Sequence, residues 1–262
     1  MTPNPLLPFP TALHAQVSES IVDFFRAGSL AQAVLLVNSC ARGVATPDSD
    51  LDVAVLVPAW LEPTERATLE AAWLEHARTQ AVFEHFQRSG RFTRVHLDLI
   101  DGTYLPGMWD DGGGPDGFEL ELGNQVAHSV VLWQTSDAFE RLRATWLPYY
   151  DDTLRTQRLK MAREACAYDL EHVAFFVERQ LYFQAFDRLY KAFQEFLQAL
   201  CISRRTYPIA YNKWIRELVE VRLNLPELYP QLPPLLALGR LEGDELVERA
   251  ERLKHLLERW VW

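Results

Sequence analysis

Asp50, Asp52 and Asp98 are the residues of this chain whose types and spacing could do chemistry. Asp50 and Asp52 stand one residue apart where an apolar run, Leu51 to Val57, begins. Successive side chains of a strand point to opposite faces, so these two carboxylates project from the same side. Asp98 lies in Arg94-Val95-His96-Leu97-Asp98-Leu99-Ile100, where Val95, Leu97 and Leu99 alternate with His96 and Asp98. That alternation sets His96 and the third carboxylate together on the polar face of a second strand. Hard oxygen donors of this kind suit a divalent cation, and Mg²⁺ is commonly held by a few carboxylates together with the phosphates of a substrate.

Upstream of the pair the chain reads Asn38-Ser39-Cys40-Ala41-Arg42-Gly43, and Ser49 immediately precedes Asp50. This arrangement resembles the DNA polymerase beta superfamily of nucleotidyltransferases. Its members carry a Gly-Ser pair, a short loop with Arg-Gly, Ser-Asp-x-Asp entering a strand, and a third Asp on a later strand. Ser39, Arg42, Gly43, Ser49, Asp50, Asp52 and Asp98 fall in that order, and the departure is Asn38 in place of the glycine. Glycine serves there because a tight turn needs positive φ and the backbone must come close to phosphate; Asn tolerates the left-handed region better than most residues.

The resemblance implies transfer of a nucleoside monophosphate, AMP in the first place, from ATP or another nucleoside triphosphate to an acceptor, with release of pyrophosphate. It implies that Asp50 and Asp52 hold two Mg²⁺ ions and that Asp98 completes the site of the one beside the acceptor. Asn38, Ser39 and Ser49 with neighbouring N–H groups are then placed at the phosphates, and Arg42 either pairs with phosphate or fixes the loop. It implies too that a helical C-terminal half closes over the nucleotide, as in several antibiotic-modifying nucleotidyltransferases. There Arg204-Arg205-Thr206-Tyr207-Pro208 and Tyr211-Asn212-Lys213-Trp214 combine cations with aromatics, so that Lys213 is placed to reach the triphosphate and Tyr211 or Trp214 to stack on a base. The general base is open between Asp98 and a Glu of the helical half: Glu164, Glu171, Glu178 or Glu195.

A formal charge of −10 over 262 residues disfavours duplex binding, which needs clustered Lys and Arg. A small hydroxylated acceptor of aminoglycoside or lincosamide type is expected, and a cationic one suits the charge. The alternatives are a protein side chain or an RNA end, as in the minimal enzymes of toxin and antitoxin pairs, with a stable protein partner or homodimer, and a catalytically silent nucleotide-binding module. Cys40, Cys166 and Cys201 are too scattered for a disulfide framework or a zinc motif, which fits a reducing cytoplasm. The proline-rich Met1 to Pro10 lacks the layout of a secretory signal, and no apolar run reaches membrane-spanning length.

The elements that must position these residues follow from periodicity. Leu13, Val17, Ile21, Phe24 and Phe25 mark a first helix that Gly28 stops. Ala33 to Val37 and Leu51 to Val57 have the length and continuity of buried strands, with the motif between them. Pro63 to Gln87 reads as one helix, Thr93 to Ile100 as a strand, and Asp101 to Gly117 as a Gly- and Pro-rich loop without the ligand spacing of an EF-hand. Phe118 to Leu122 and His128 to Trp133 suggest further strands, and Asp137 with Glu140 suggests a capping box on the helix Ala138 to Trp146. Beyond Pro148 the pattern is helical: Asp151 to Glu178, then a Tyr182 to Leu200 stripe of bundle type, Tyr211 to Val221, a linker with prolines 226, 230, 233 and 234, and Asp244 to Trp260. The expected fold is α+β, a mixed-sheet catalytic domain over residues 1–147 followed by an all-α helical bundle over residues 148–262.

Overall fold

A computed structural model describes residues 9–107 and 114–262. Residues 108–113 of the Gly- and Pro-rich loop, and residues 1–8 of the proline-rich start, lie outside the described residues. The chain runs α1 (Ala12–Ala27), β1 (Ala33–Leu36), α2 (Asn38–Ala41), β2 (Leu51–Leu56), α3 (Pro63–Thr79), α4 (Ala81–Ser89), β3 (Val95–Ile100), α5 (Phe118–Leu122), β4 (Val130–Gln134), α6 (Ala138–Trp146), α7 (Asp152–Glu178), α8 (Tyr182–Ser203), α9 (Pro233–Leu236) and α10 (Glu245–Trp260). These elements fall into two compact units. One takes the chain up to Leu105 with Asn124–Leu147, the other Pro106–Gly123 with Pro148–Trp262.

The first unit is built on a four-stranded sheet of order β3-β2-β1-β4, with β1 antiparallel to both neighbours and β2 parallel to β3. Alternation assigns its two faces. Val34, Leu36, Leu51, Val53, Val55 and Leu99 pack against Val17, Ile21 and Phe25 of α1, Trp73 of α3, and Phe83 and Phe86 of α4. On the opposite face Ala33, Leu35, Ala54 and Leu56 are covered by Phe139 of α6, flanked by Leu142 and Ile100. Because β2 is buried on both faces beyond Asp52, its sequence is an unbroken apolar run.

Three elements depart from the local pattern of the sequence. The single helix expected over Pro63 to Gln87 breaks at Gln80, whose backbone is extended (φ −92°, ψ 121°), and the redirected α4 turns Phe83 and Phe86 into the core. Phe118 to Leu122 is helical, not a strand. Its acidic positions imitate a period of two, but Glu119 is fully buried on an ion-pair network and so shares the inward side with Phe118 and Leu122. Helix α6 starts where expected without a capping box: the Asp137 side chain makes no cap bond and pairs with Arg141, while Glu140 accepts from Gln134 Nε2 at 2.6 Å.

In the second unit α7 and α8 form a hairpin whose inner stripe, Cys166, Leu170, Val173, Leu189, Phe193, Phe196 and Leu200, meets Leu253 and Leu257 of α10. Asp151 caps α7, its Oδ1 accepting the N–H groups of Thr153 and Leu154 at 2.8 and 3.0 Å. The proline-rich stretch is not a loose linker. Pro230 and Pro233 open a 3₁₀ turn and α9, and Leu228, Leu232 and Leu235 are buried. The helix expected over Tyr211 to Val221 shortens to a segment ending in a π-helical turn, Glu217–Arg222. Among the described residues no helix is long and apolar enough to cross a membrane.

Candidate active site

Val37 ends β1 by donating its N–H to the Asp52 carbonyl at 3.1 Å, which ties the loop's entrance to the motif strand. The chain then turns through Asn38, whose φ of +55° is left-handed, and winds α2. This is the conformation for which the motif prefers glycine, and Asn adopts it at less cost than most residues. Within α2 the N–H groups of Asn38, Ser39 and Cys40 make no backbone hydrogen bond among the described residues, the normal state of a first helical turn. Arg42 closes the turn, its N–H directed at the carbonyls of Asn38 and Cys40, and Gly43 follows at φ +71°.

Cys40 is buried and its thiol points at the Asp50 carbonyl, 3.6 Å away. Burial, reinforced by the charge of Asp52, pushes the thiol up to about 11, so it is a packing residue with no nucleophilic character. Ser49 turns its hydroxyl inward to the loop, where Oγ accepts the Thr46 N–H at 2.9 Å. Its carbonyl is held from outside the motif. Buried His14 of α1 places Nε2 3.0 Å from the Ser49 oxygen, and Nδ1 lies 2.7 Å from Thr11 Oγ1. A carbonyl only accepts, so Nε2 carries the proton and Nδ1 accepts from the threonine hydroxyl. This role of His14 has no signature in the sequence, because a lone histidine on an amphipathic helix has no motif to mark it.

The carboxylates occupy the end of the sheet face that α6 leaves uncovered. Asp52 pairs in register with His96, and Asp98 with Ala54, so Asp52, His96 and Asp98 share that face. Asp50 precedes the strand on the same side, and its Oδ2 lies 3.7 Å from His96 Nε2. Asp98 is exposed, while Asp50 and Asp52 are half-buried. Among the described residues no three His, Cys, Asp or Glu side chains close into a metal cage. An open set of carboxylates still fits a cation that takes its remaining oxygens from substrate phosphates and water, which is the usual way Mg²⁺ is bound.

The helical unit separates its own candidates. Lys213 is exposed there and makes no ion pair among the described residues. Tyr211 is buried in the bundle core at 4 % exposure, so it is not available to stack on a base; Trp214 is 41 % exposed. Glu164, Glu171 and Glu178 are exposed along α7, whereas Glu195 is buried in α8.

Residues 19–86 match the family model of the nucleotidyltransferase domain. That segment runs from within α1 into α4 and contains Asn38, Ser39, Arg42, Ser49, Asp50 and Asp52, with Asp98 beyond it. Among solved structures the chain is similar to a nucleotidyltransferase-like protein from Exiguobacterium sibiricum 255-15, with 14% identity, a TM-score of 0.48, and coverage of 93% of this chain and 74% of that one. No curated protein matches the chain at a significant level. The segment that carries the paired aspartates is similar to the nucleotidyltransferase domain, and this match supports a transferase.

Proposed function

We propose that this protein transfers a nucleoside monophosphate, AMP from ATP in the first place, to a hydroxyl acceptor in a Mg²⁺-dependent reaction that releases pyrophosphate. The observation that carries the reading is the common, solvent-accessible face of Asp50, Asp52 and Asp98 beside a left-handed turn at Asn38. Carboxylates gathered at an open strand end do nothing for packing, and their mutual repulsion is relieved by a cation. Bound there, divalent metal supplies charge neutralisation for the attacking and leaving oxygens. Asp50 and Asp52 are the residues to hold it, and Asp98 stands nearest the open side for the acceptor. In this reading the N–H groups at Ser39 and Cys40, with the Ser39 hydroxyl, receive phosphate oxygens.

Titration calorimetry with ATP tests this without knowledge of the acceptor. Binding is expected in Mg²⁺ and lost in EDTA, and Asp50→Asn and Asp52→Asn are expected to abolish the Mg²⁺-dependent part while leaving the unfolding midpoint in place. Equal affinity with and without metal would sink the reading. A second reading of the acceptor, a protein segment instead of a small molecule, is favoured by the free edge of β3.

A further inference from the structure

We propose that the outer edge of β3 takes an extended peptide segment as an added strand, and that a side-chain hydroxyl of this segment is the acceptor. The inference rests on the nucleotidyl-transfer reading for the reaction, but its structural basis is separate. β3 is an edge strand. The N–H groups of Leu51 and Val57 donate to the carbonyls of Arg94 and Ile100, both at 2.8 Å. Backbone groups of a strand alternate in direction, so residues 94, 96, 98 and 100 face β2 and Val95, Leu97 and Leu99 face outward. Arg66 of α3 takes the carbonyl of Leu99. By that alternation the N–H and C=O groups of Val95 and Leu97 lie outside the β2 ladder, and no turn or loop backbone takes them among the described residues.

Edges of this kind are usually blunted by a proline, a lysine or a bulge, and none occurs between Val95 and Ile100. Instead a groove of about 850 Å³ runs beside the unguarded half, with Leu74, Phe83 and Val95 among its apolar walls and Arg78 and Arg94 among its cations. Arg78 is engaged by Glu75, whereas Arg94 makes no ion pair among the described residues and is left for an acidic neighbour on the segment. His96 lines the same groove and its Nε2 lies 3.7 Å from Asp50 Oδ2, so this one edge residue borders both the groove and the carboxylates.

A strand laid along Val95 and Leu97 sits about 4.8 Å from β3 and alternates its side chains. One set enters the apolar groove; the other lies beside His96 and Asp98 on the carboxylate face. Backbone pairing then gives affinity and the groove gives selectivity, the usual division of labour in strand addition. A Ser, Thr or Tyr in the second set presents its oxygen to the α-phosphorus. The new O–P bond forms as the bond from the α-phosphorus to the bridging oxygen breaks. Pyrophosphate leaves with that electron pair, and the hydroxyl proton passes to Asp98.

The test uses the full chain and labelled decapeptides, each with a central Ser, Thr or Tyr flanked by apolar and acidic residues. Fluorescence anisotropy is read in EDTA without nucleotide, so a failure here is separate from a failure of ATP binding. At least one peptide class is expected to bind. Leu97→Pro, which deletes an outward N–H and no ladder bond, and Ala81→Trp, which fills the groove from α4, are each expected to weaken it by about tenfold or more. Ala81→Trp should keep the unfolding midpoint. Leu97→Pro also loses core packing, so Leu97→Ala, which loses the same packing and keeps the N–H, should bind more tightly than Leu97→Pro. All three should keep Mg²⁺-ATP binding. With Mg²⁺ and α-labelled ATP, label should transfer to the bound class. Absence of binding by every peptide, or binding untouched by either variant, overturns the proposal. So does sedimentation showing a dimer that Leu97→Pro dissociates, because the edge would then belong to a second copy of this chain.

Discussion

His14 Nε2 lies 3.0 Å from the carbonyl oxygen of Ser49, 35 residues further along the chain and one residue before Asp50. Helix α1 thereby fixes the loop at the point where it delivers the paired carboxylates. His14→Phe keeps an aromatic ring against Phe86, whose centroid is 4.8 Å away, and removes the donor to Ser49. Leaving that carbonyl unsatisfied should cost about 1–3 kcal/mol in urea unfolding. Mg²⁺-dependent ATP binding should weaken with it. A variant as stable as the parent, with unchanged ATP affinity, would show that the contact positions nothing.

Asn38 offers a backbone test. At φ +55° a β-branched residue is strained, so Asn38→Val should lose about 1–2 kcal/mol of stability, whereas Asn38→Gly should unfold near the parent's midpoint. With glycine the backbone can approach phosphate more closely, and triphosphate affinity should rise by about fivefold, the worth of one improved hydrogen bond. Unchanged affinity in both variants would place position 38 away from the nucleotide.

The legible parts of this protein were those where one local pattern decides the outcome. Asp50 and Asp52 fall on one face because strand alternation allows nothing else, and Asp98 joined them through the same period. The left-handed turn was foreseeable at Asn38 because few residues adopt that conformation. Features set by distant partners were not legible. Phe118-Glu119-Leu120-Glu121-Leu122 alternates like a strand, but Glu119 receives Arg158, Gln198 and Tyr150, which lie 39, 79 and 31 residues away. Tyr211 has the composition of a stacking residue, and only the packing of the bundle shows it to be core. The free edge of β3 was hidden too, since strand order cannot be read from periodicity.

Gly123 separates local propensity from tertiary fit. It follows α5 at the start of a π-helical turn, where alanine would ordinarily be favoured over glycine by about 1 kcal/mol. A Cβ there would run into the main-chain carbonyl oxygen of Pro208 and come within 3.3 Å of Tyr207 Cβ. Backbone cannot swing aside as a long side chain does, so Gly123→Ala should lower stability by about 1–3 kcal/mol in guanidinium unfolding. A stabilised variant would mean that the Pro208 segment yields freely.

Glu195 should give the protein a pH-dependent stability of unusual sign. It is buried in α8 with no hydrogen-bond partner for Oε2, beside Asp169, which Arg188 already engages at 2.5 Å. Burial, followed by the charge of Asp169, pushes its carboxyl up to about 8, against an ordinary value of 4.5; Arg188 and Lys191 pull the other way. Between those values the folded chain keeps a proton that the unfolded chain has released. Unfolding free energy must therefore fall as pH rises, by up to about 1.4 kcal/mol per unit, with the stabilisation complete below 4.5 and gone once pH passes through about 8. Glu195→Gln mimics the protonated carboxyl and should remove this slope, gaining on the parent steadily from acid to alkaline conditions. Urea unfolding of both proteins at several pH values reads the difference directly, with every other titrating group common to the pair. Parallel curves would show that Glu195 is ionised in the folded protein and that water or Lys191 satisfies it.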